Sequence, residues 1–300
     1  MTDFRCAVAS RERGDELAGT ASTVRSYLLV EHPGPWGAEA LRDARLPDGL
    51  GARLAEDARR HRVRVLLTRR PGRRTPGQGT RVFAARAAGA DSWLETTVLD
   101  RIDDVTGLDL AALGAGRSLG LERVDAPLLA VCTHGRHDAC CAELGRPVAL
   151  ALADGPHADA VWEVSHVGGD RFAGNLVVLP RGLYYGALEP GSARAVADAT
   201  HAGEVLLDHL RGRSDLPMAA QAADVALRRE HALVGLDDVQ ATTVRSDGEL
   251  TTTRFEVRGQ GLLDVVVRRV PGEGSHLLTC SARREGAAPR HEVVEVRAGS

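Results

Sequence analysis

Aromatic side chains are scarce. Three Trp, three Tyr and four Phe make up 3% of the 300 residues, and there are only two Met. Any core must therefore rest on Leu, Val and Ala. No run approaches the ~18 apolar residues of a membrane span. The opening MTDFRCAVASRERGDE is charged and lacks the apolar centre of a signal peptide, so a cytoplasmic protein is expected. Lysine is absent. Arginine carries the positive charge, mostly interspersed with acids, to a net −3, which gives no global basic field for nucleic acid. The one basic run, Arg69-Arg70-Pro71-Gly72-Arg73-Arg74, reads as a solvated loop. Cysteine is sparse and odd in number, five in all, which does not suit a complete disulfide framework. In a reducing compartment such cysteines read as thiols, metal ligands or catalytic groups.

What is present is ordinary globular material, 43% apolar and 26% charged, over a length that favours two or three domains. Residues 1–21 read as a disordered lead-in, with Cys6 an isolated, incidental thiol. Apolar and β-branched runs predict strands at 24–31, 63–67, 81–86 and 93–99, with helices at 50–61 and 108–113. The second half repeats the order: a strand at 128–132, a helix at 139–152, strands at 161–165, 176–179 and 183–187, and a helix at 192–210. Both halves read β-α-β-β-β-α. Two strands joined by a helix favour a right-handed unit with parallel strands, and a closing hairpin plus helix is the thioredoxin-like pattern. The expected fold is therefore α/β (α+β). It consists of two tandem thioredoxin-like units, 22–120 and 124–212, a polar linker following residues 211–215, and a small α+β C-terminal domain over 217–297. That last part predicts a helix at 218–231 and an antiparallel sheet, with Cys280 a small buried residue in a strand at 277–282.

The soft ligands concentrate in the second unit. Between 126 and 188 lie Cys132, Cys140 and Cys141, together with His134, His137, His157 and His166. Cys132 ends a strand, and Cys140 and Cys141 open the following helix behind Asp138, a natural N-cap. A helix N-terminus favours thiolate. His166 ends the next strand on the same edge and leads into Gly168-Gly169-Asp170, glycines that allow close backbone approach. Cys132, Cys141, His166 and Asp170 are thus expected to converge from two loops. The spacing is C-x8-C followed by H-x3-D. It lacks the C-x2–4-C pairs usual for zinc and the C-x-x-C of a redox dithiol. Iron–sulfur clusters accept wider spacing, and histidine on one iron. The first unit has HPGPWG at 32–37 where the cysteine loop would be, with no soft ligand, and reads as a structural or docking partner.

The run CTHGRHDACCAELGRPVALAL, with WEVSHVGGDRFAGNLVVLPRGLYYG, resembles the sucrase/ferredoxin-like family of thioredoxin-like 2Fe–2S ferredoxins. GTASTVRSYLLVEHPGPWG and RVLLTRR also fit its bacterial members. The resemblance implies a 2Fe–2S cluster with Cys132 and Cys141 as thiolate ligands and His166 as the first imidazole. The family's H-x3-H is here H-x3-D, so Asp170 stands at the fourth position. The alternatives are no fourth protein ligand, then Cys140, then His134 or His137. Nothing resembles a glycosidase, since no carboxylate pair with a sugar platform stands out. The implied function is one-electron transfer with a reductase or oxidase as redox partner, involving neither nucleic acid nor membrane. The rival readings are a thiol oxidoreductase using Cys132 or Cys141, and a cofactor-free interaction module.

Overall fold

The computed structural model describes residues 4–72 and 79–299. The chain opens with helix α1 (Cys6–Arg13). The first half then runs β1 (Ser26–Glu31), the short α2 (Ala40–Asp43), α3 (Leu50–His61), β2 (Val63–Arg69), β3 (Thr80–Arg86), β4 (Trp93–Leu99), α4 (Leu110–Gly114) and β5 (Glu122–Arg123). The second half runs β6 (Leu128–Cys132), α5 (Ala139–Ala153), β7 (Val161–Val164), β8 (Leu176–Leu179), β9 (Leu183–Tyr185), α6 (Pro190–His201) and β10 (Leu210–Arg213). Helix α7 (Met218–His231) leads into β11 (Val239–Asp247), β12 (Leu250–Val257), β13 (Gly261–Val270) and β14 (Arg290–Ala298).

The first ten strands form one mixed sheet in the order β10-β9-β8-β6-β7-β2-β1-β3-β4-β5. In each half a parallel pair, β1 with β2 and β6 with β7, is joined by a helix. An antiparallel hairpin continues from its first strand. Strands covered on both faces carry continuous apolar runs rather than alternation, and β6, LLAVC, is buried at every position. The expected α+β class is observed, with the order β-α-β-β-β-α in each half, and the two halves form a continuous sheet. Strand β2 meets β7 antiparallel through Thr68↔Val164 and Arg69↔Glu163. One apolar cluster takes Tyr27, Leu29, Leu66 and Phe83 from the first half and Leu128, Ala130 and Trp162 from the second. Strands β11 to β14 form a separate antiparallel sheet whose core, around Phe255, Val265 and Val267, is shared with Ala223 and Leu227 of α7.

Three local expectations are corrected. Residues 6–13, expected in a disordered lead-in, form a helix with Cys6 and Ala7 buried. Gly14 in the left-handed region closes it, and its apolar side lies on Cys140 and Ala173. The helix expected over 192–210 stops at His201. Residues 211–215 contribute to β10 and the turn after it and are buried. Charge misleads there, because the arginines satisfy their donors inside the protein. Residues 277–282 form irregular turns rather than a strand, so Cys280 is on a loop. In the basic run, Arg73 and Arg74 lie outside the described residues. Arg69 binds Glu163 and stacks on Trp36, and Arg70 donates to the carbonyls of Asp159 and Val161 over the Trp162 ring.

Candidate metal centre

Strand β6 ends at Cys132, and α5 begins seven residues later, with the Asp138 carboxylate accepting from the Cys140 N–H. The helix runs unbroken through Pro147. It lies so close to β6 that a Cβ on Gly145 would stand 2.0 Å from the Cys132 carbonyl oxygen. Only glycine fits there. This contact seats the first turn of α5, and with it Cys141, against the strand end. Strand β7 ends one residue before Ser165, so His166 reaches the same edge. The ligand atoms of Cys132, Cys141 and His166 lie within 4.8 Å of one another, as do those of His137, His166 and Asp170. The Cys141 thiol donates to Asp170 Oδ1 at 3.2 Å. His166 Nδ1 is buried and stands 3.0 Å from that same oxygen, an ion pair when the imidazole is protonated.

The thiol contact from Cys141 holds the Cys132 thiol below the usual range against the effect of burial, with His166 adding to it. Cys141 is correspondingly pushed up, by Cys132 first and then by burial and Asp170. For His166, burial alone would lower the pKa, but Asp170 and Cys132 outweigh it and raise it to about 9. Burial would raise Asp170, yet the His166 contact keeps it below the usual carboxylate value.

Two sets of residues outside the cysteine motif position this edge. Arg211, fully buried, donates to the carbonyls of Gly168 (3.0 Å) and Thr20 (2.6 Å), to Thr20 Oγ1 (3.1 Å) and to Asn175 Oδ1 (2.8 Å). Asn175 donates in turn to the Gly169 carbonyl at 2.9 Å. A Cβ on Gly169, at φ +80°, would strike the Arg211 guanidinium at 2.2 Å. The second set comes from the first unit. The loop that carries HPGPWG folds over the second unit's site. Trp36 meets the His134 ring edge-on at 5.8 Å, and the carbonyls of Gly37 and Ala38 pair with His134 (2.8 Å) and His137 (3.1 Å). The His137 and His166 rings stack at 3.8 Å. Arg211 carries no local sequence signal for this role, whereas the covering loop does. HPGPWG at the position of the cysteine loop was the available signal, since pseudo-symmetry puts both loops at the same seam.

Cys140 does not join Cys132. Neighbours in a helix point about 100° apart, and Cys140 faces Cys6, Asp138 and Cys280, a second set whose ligand atoms also lie within 4.8 Å. His134 Nδ1 accepts from the His166 N–H at 3.2 Å. His157 lies elsewhere, stacked on His201. Among the described residues no helix is long and apolar enough to cross a membrane.

A thioredoxin-like sheet with thiols, imidazole and carboxylate gathered at one strand–helix edge defines a protein with the donor set of a metal centre. The model of the sucrase/ferredoxin-like family matches residues 17–212, and the chain belongs to that family. No curated protein and no solved structure gives a match.

Proposed function

We propose that the chain is a one-electron carrier that holds a 2Fe–2S cluster through Cys132, Cys141, His166 and Asp170. One observation carries this reading. Two thiols and an imidazole lie with ligand atoms within 4.8 Å of one another, and the Asp170 carboxylate stands 3.0 Å from His166 Nδ1. Thiolate with imidazole suits iron–sulfur chemistry. When bound, such a cluster supplies reversible one-electron exchange at a potential raised by histidine ligation.

The chain's own part is protonic and steric. Cys132 loses its proton easily. His166 must release one to ligate, and Asp170 is beside it to carry the charge. Arg211 and Asn175 fix the 166–170 loop, so that both groups are held before anything binds. His166 opens onto a surface hollow of about 330 Å³, lined also by His134, His137, Glu39 and Arg42. We assign this hollow to docking of a redox partner, a reductase or an oxidase. A thiol-exchange role has less support, because Cys132 and Cys141 are each 1% exposed and reactive thiols need access.

Anaerobic reconstitution of the full chain with iron and sulfide tests the reading. About two irons and two sulfides per chain, with visible absorption, are expected. Cys132→Ser and Cys141→Ser should abolish both, while Cys140→Ser keeps them. Colourless protein after reconstitution overturns the proposal.

A further inference from the structure

The remaining cysteines are not scattered. Cys6 comes from α1, Cys140 from the first turn of α5, and Cys280 from the turns between β13 and β14. Their sulfurs meet. Cys140 Sγ lies 3.4 Å from Cys280 Sγ, and Cys280 Sγ lies 3.6 Å from Cys6 Sγ. The Asp138 carboxylate closes the group, with Oδ2 3.6 Å and Oδ1 3.7 Å from Cys6 Sγ. A tetrahedral ion bound at ~2.3 Å to each sulfur sets the sulfurs about 3.8 Å apart, close to the spacing seen. Asp138 also accepts the N–H groups of Cys140 (2.9 Å) and Cys280 (2.7 Å). Each of its oxygens keeps a second lone pair. Cys6 and Cys140 are buried and Cys280 is half-buried, with Ala7, Ala173, Phe4 and Leu144 packed around them.

We propose that Cys6, Cys140, Cys280 and Asp138 form a second, structural metal site that takes a single zinc ion. Three thiolates and a carboxylate fill a tetrahedral shell with no open position, which is the pattern of a structural rather than a catalytic zinc. Soft thiolates select zinc over the hard divalent cations. Two of the ligands, Cys6 and Cys280, lie outside the 17–212 stretch that defines the family, so the site is separate from the family's own centre. Its consequence is mechanical. One ion ties the N-terminal helix and the C-terminal domain to the start of the helix that carries Cys141. Binding free energy at such a site is folding free energy, spent here on docking three distant segments.

The experiment uses the full chain, loaded with zinc or with cobalt(II) after chelation, with zinc, iron and sulfide counted on the same samples. About one zinc per chain is expected in the wild type and in the Cys132→Ser/Cys141→Ser double variant. Cobalt loading should give the intense bands of a tetrahedral thiolate site. Cys280→Ser, at a loop position, should fold, lose the zinc and the cobalt bands, melt at a lower temperature, and still accept iron and sulfide. Asp138→Asn keeps a good N-cap and should yield its zinc to a competing chelator more readily than the wild type does. The proposal fails if Cys280→Ser retains zinc, or if the wild type binds no zinc. It fails equally if the isolated protein carries a Cys140–Cys280 disulfide, seen as a loss of two hydrogens by mass. Absence of an iron–sulfur chromophore with zinc still bound would count against the electron-carrier reading alone.

Discussion

At His166 burial and charge pull in opposite directions, and charge prevails, leaving the imidazole with a pKa of about 9. In metal-free protein the sign of the linkage follows. The folded pKa exceeds the ordinary 6.5, so His166 contributes stability in full below that value. This contribution is lost as pH rises through about 9. Asp170 is shifted the other way. Its contribution is present above the ordinary carboxylate range and disappears as pH falls through its lowered value. The His166 share of the urea midpoint of metal-free protein is therefore expected to fall between pH 6.5 and 9, against a rise from Cys132, whose lowered thiol acts with the opposite sign. In His166→Gln that fall should be much shallower, and an equally steep fall would assign the effect elsewhere. Metal uptake should run against this trend, strengthening with pH, because ligation expels the same proton. Arg211 offers a second test at this scale. Arg211→Met leaves the Gly168 and Thr20 carbonyls and Asn175 Oδ1 unpaired in the interior, at an expected cost of about 3 kcal/mol. Arg211→Lys should recover little, since an ammonium lacks the planar fork that reaches several acceptors at once. Denaturant midpoints of the two variants decide this.

At the scale of elements, what the sequence made legible depended on burial. Strand β6 and its partners show as apolar runs because both faces are covered. Helix α5 shows through its Asp138 cap. The convergence of Cys132, Cys141, His166 and Asp170 was legible because a strand end and the next helix start share one edge of a βαβ unit. What stayed hidden was set by long-range packing. Cys6 and Cys280 carry no local pattern that announces Cys140 as their neighbour. RGRSD reads as solvent-exposed until Arg211 is seen to spend its donors on buried carbonyls. The close seating of α5 on β6 was hidden in the same way, with Gly145 its only trace. Gly145→Ala would drive a methyl into the Cys132 carbonyl and push the helix start from the strand end. A loss of about 1–3 kcal/mol is expected, together with weaker retention of metal at Cys132 and Cys141. A thermal melt paired with a metal count checks both, and an unchanged melt would mean that the helix accommodates the methyl without moving.

Across the whole molecule the two thioredoxin-like units are not beads on a string. The β2–β7 seam has only two paired positions, yet it is reinforced on every side. Ser165 and Leu67 exchange hydrogen bonds of 2.8 and 3.1 Å, and Thr68 Oγ1 donates to the Glu163 carbonyl at 2.8 Å. The buried Glu163 carboxylate takes Arg69 at 2.6 Å and Thr133 Oγ1 at 2.9 Å. Beneath the seam the apolar cluster around Tyr27, Leu66 and Trp162 belongs to both halves. Above it, the loop with Trp36 roofs His134 and His137. The second unit expressed alone, 124–212, would therefore expose β7 as a bare edge, which invites aggregation. It would also lose half of a core and the roof of its own ligand set. Residues 1–216 are expected to behave as a single cooperative unit in unfolding, whereas the 124–212 fragment should aggregate or remain largely unfolded and hold no metal. Glu163→Ala in the full chain removes the acceptor for Arg69 and Thr133 at the seam. It should cost about 3–5 kcal/mol and lower a single transition rather than split it. Calorimetry of that variant is the sharper check, because two resolved transitions would show that the halves fold independently despite the shared sheet.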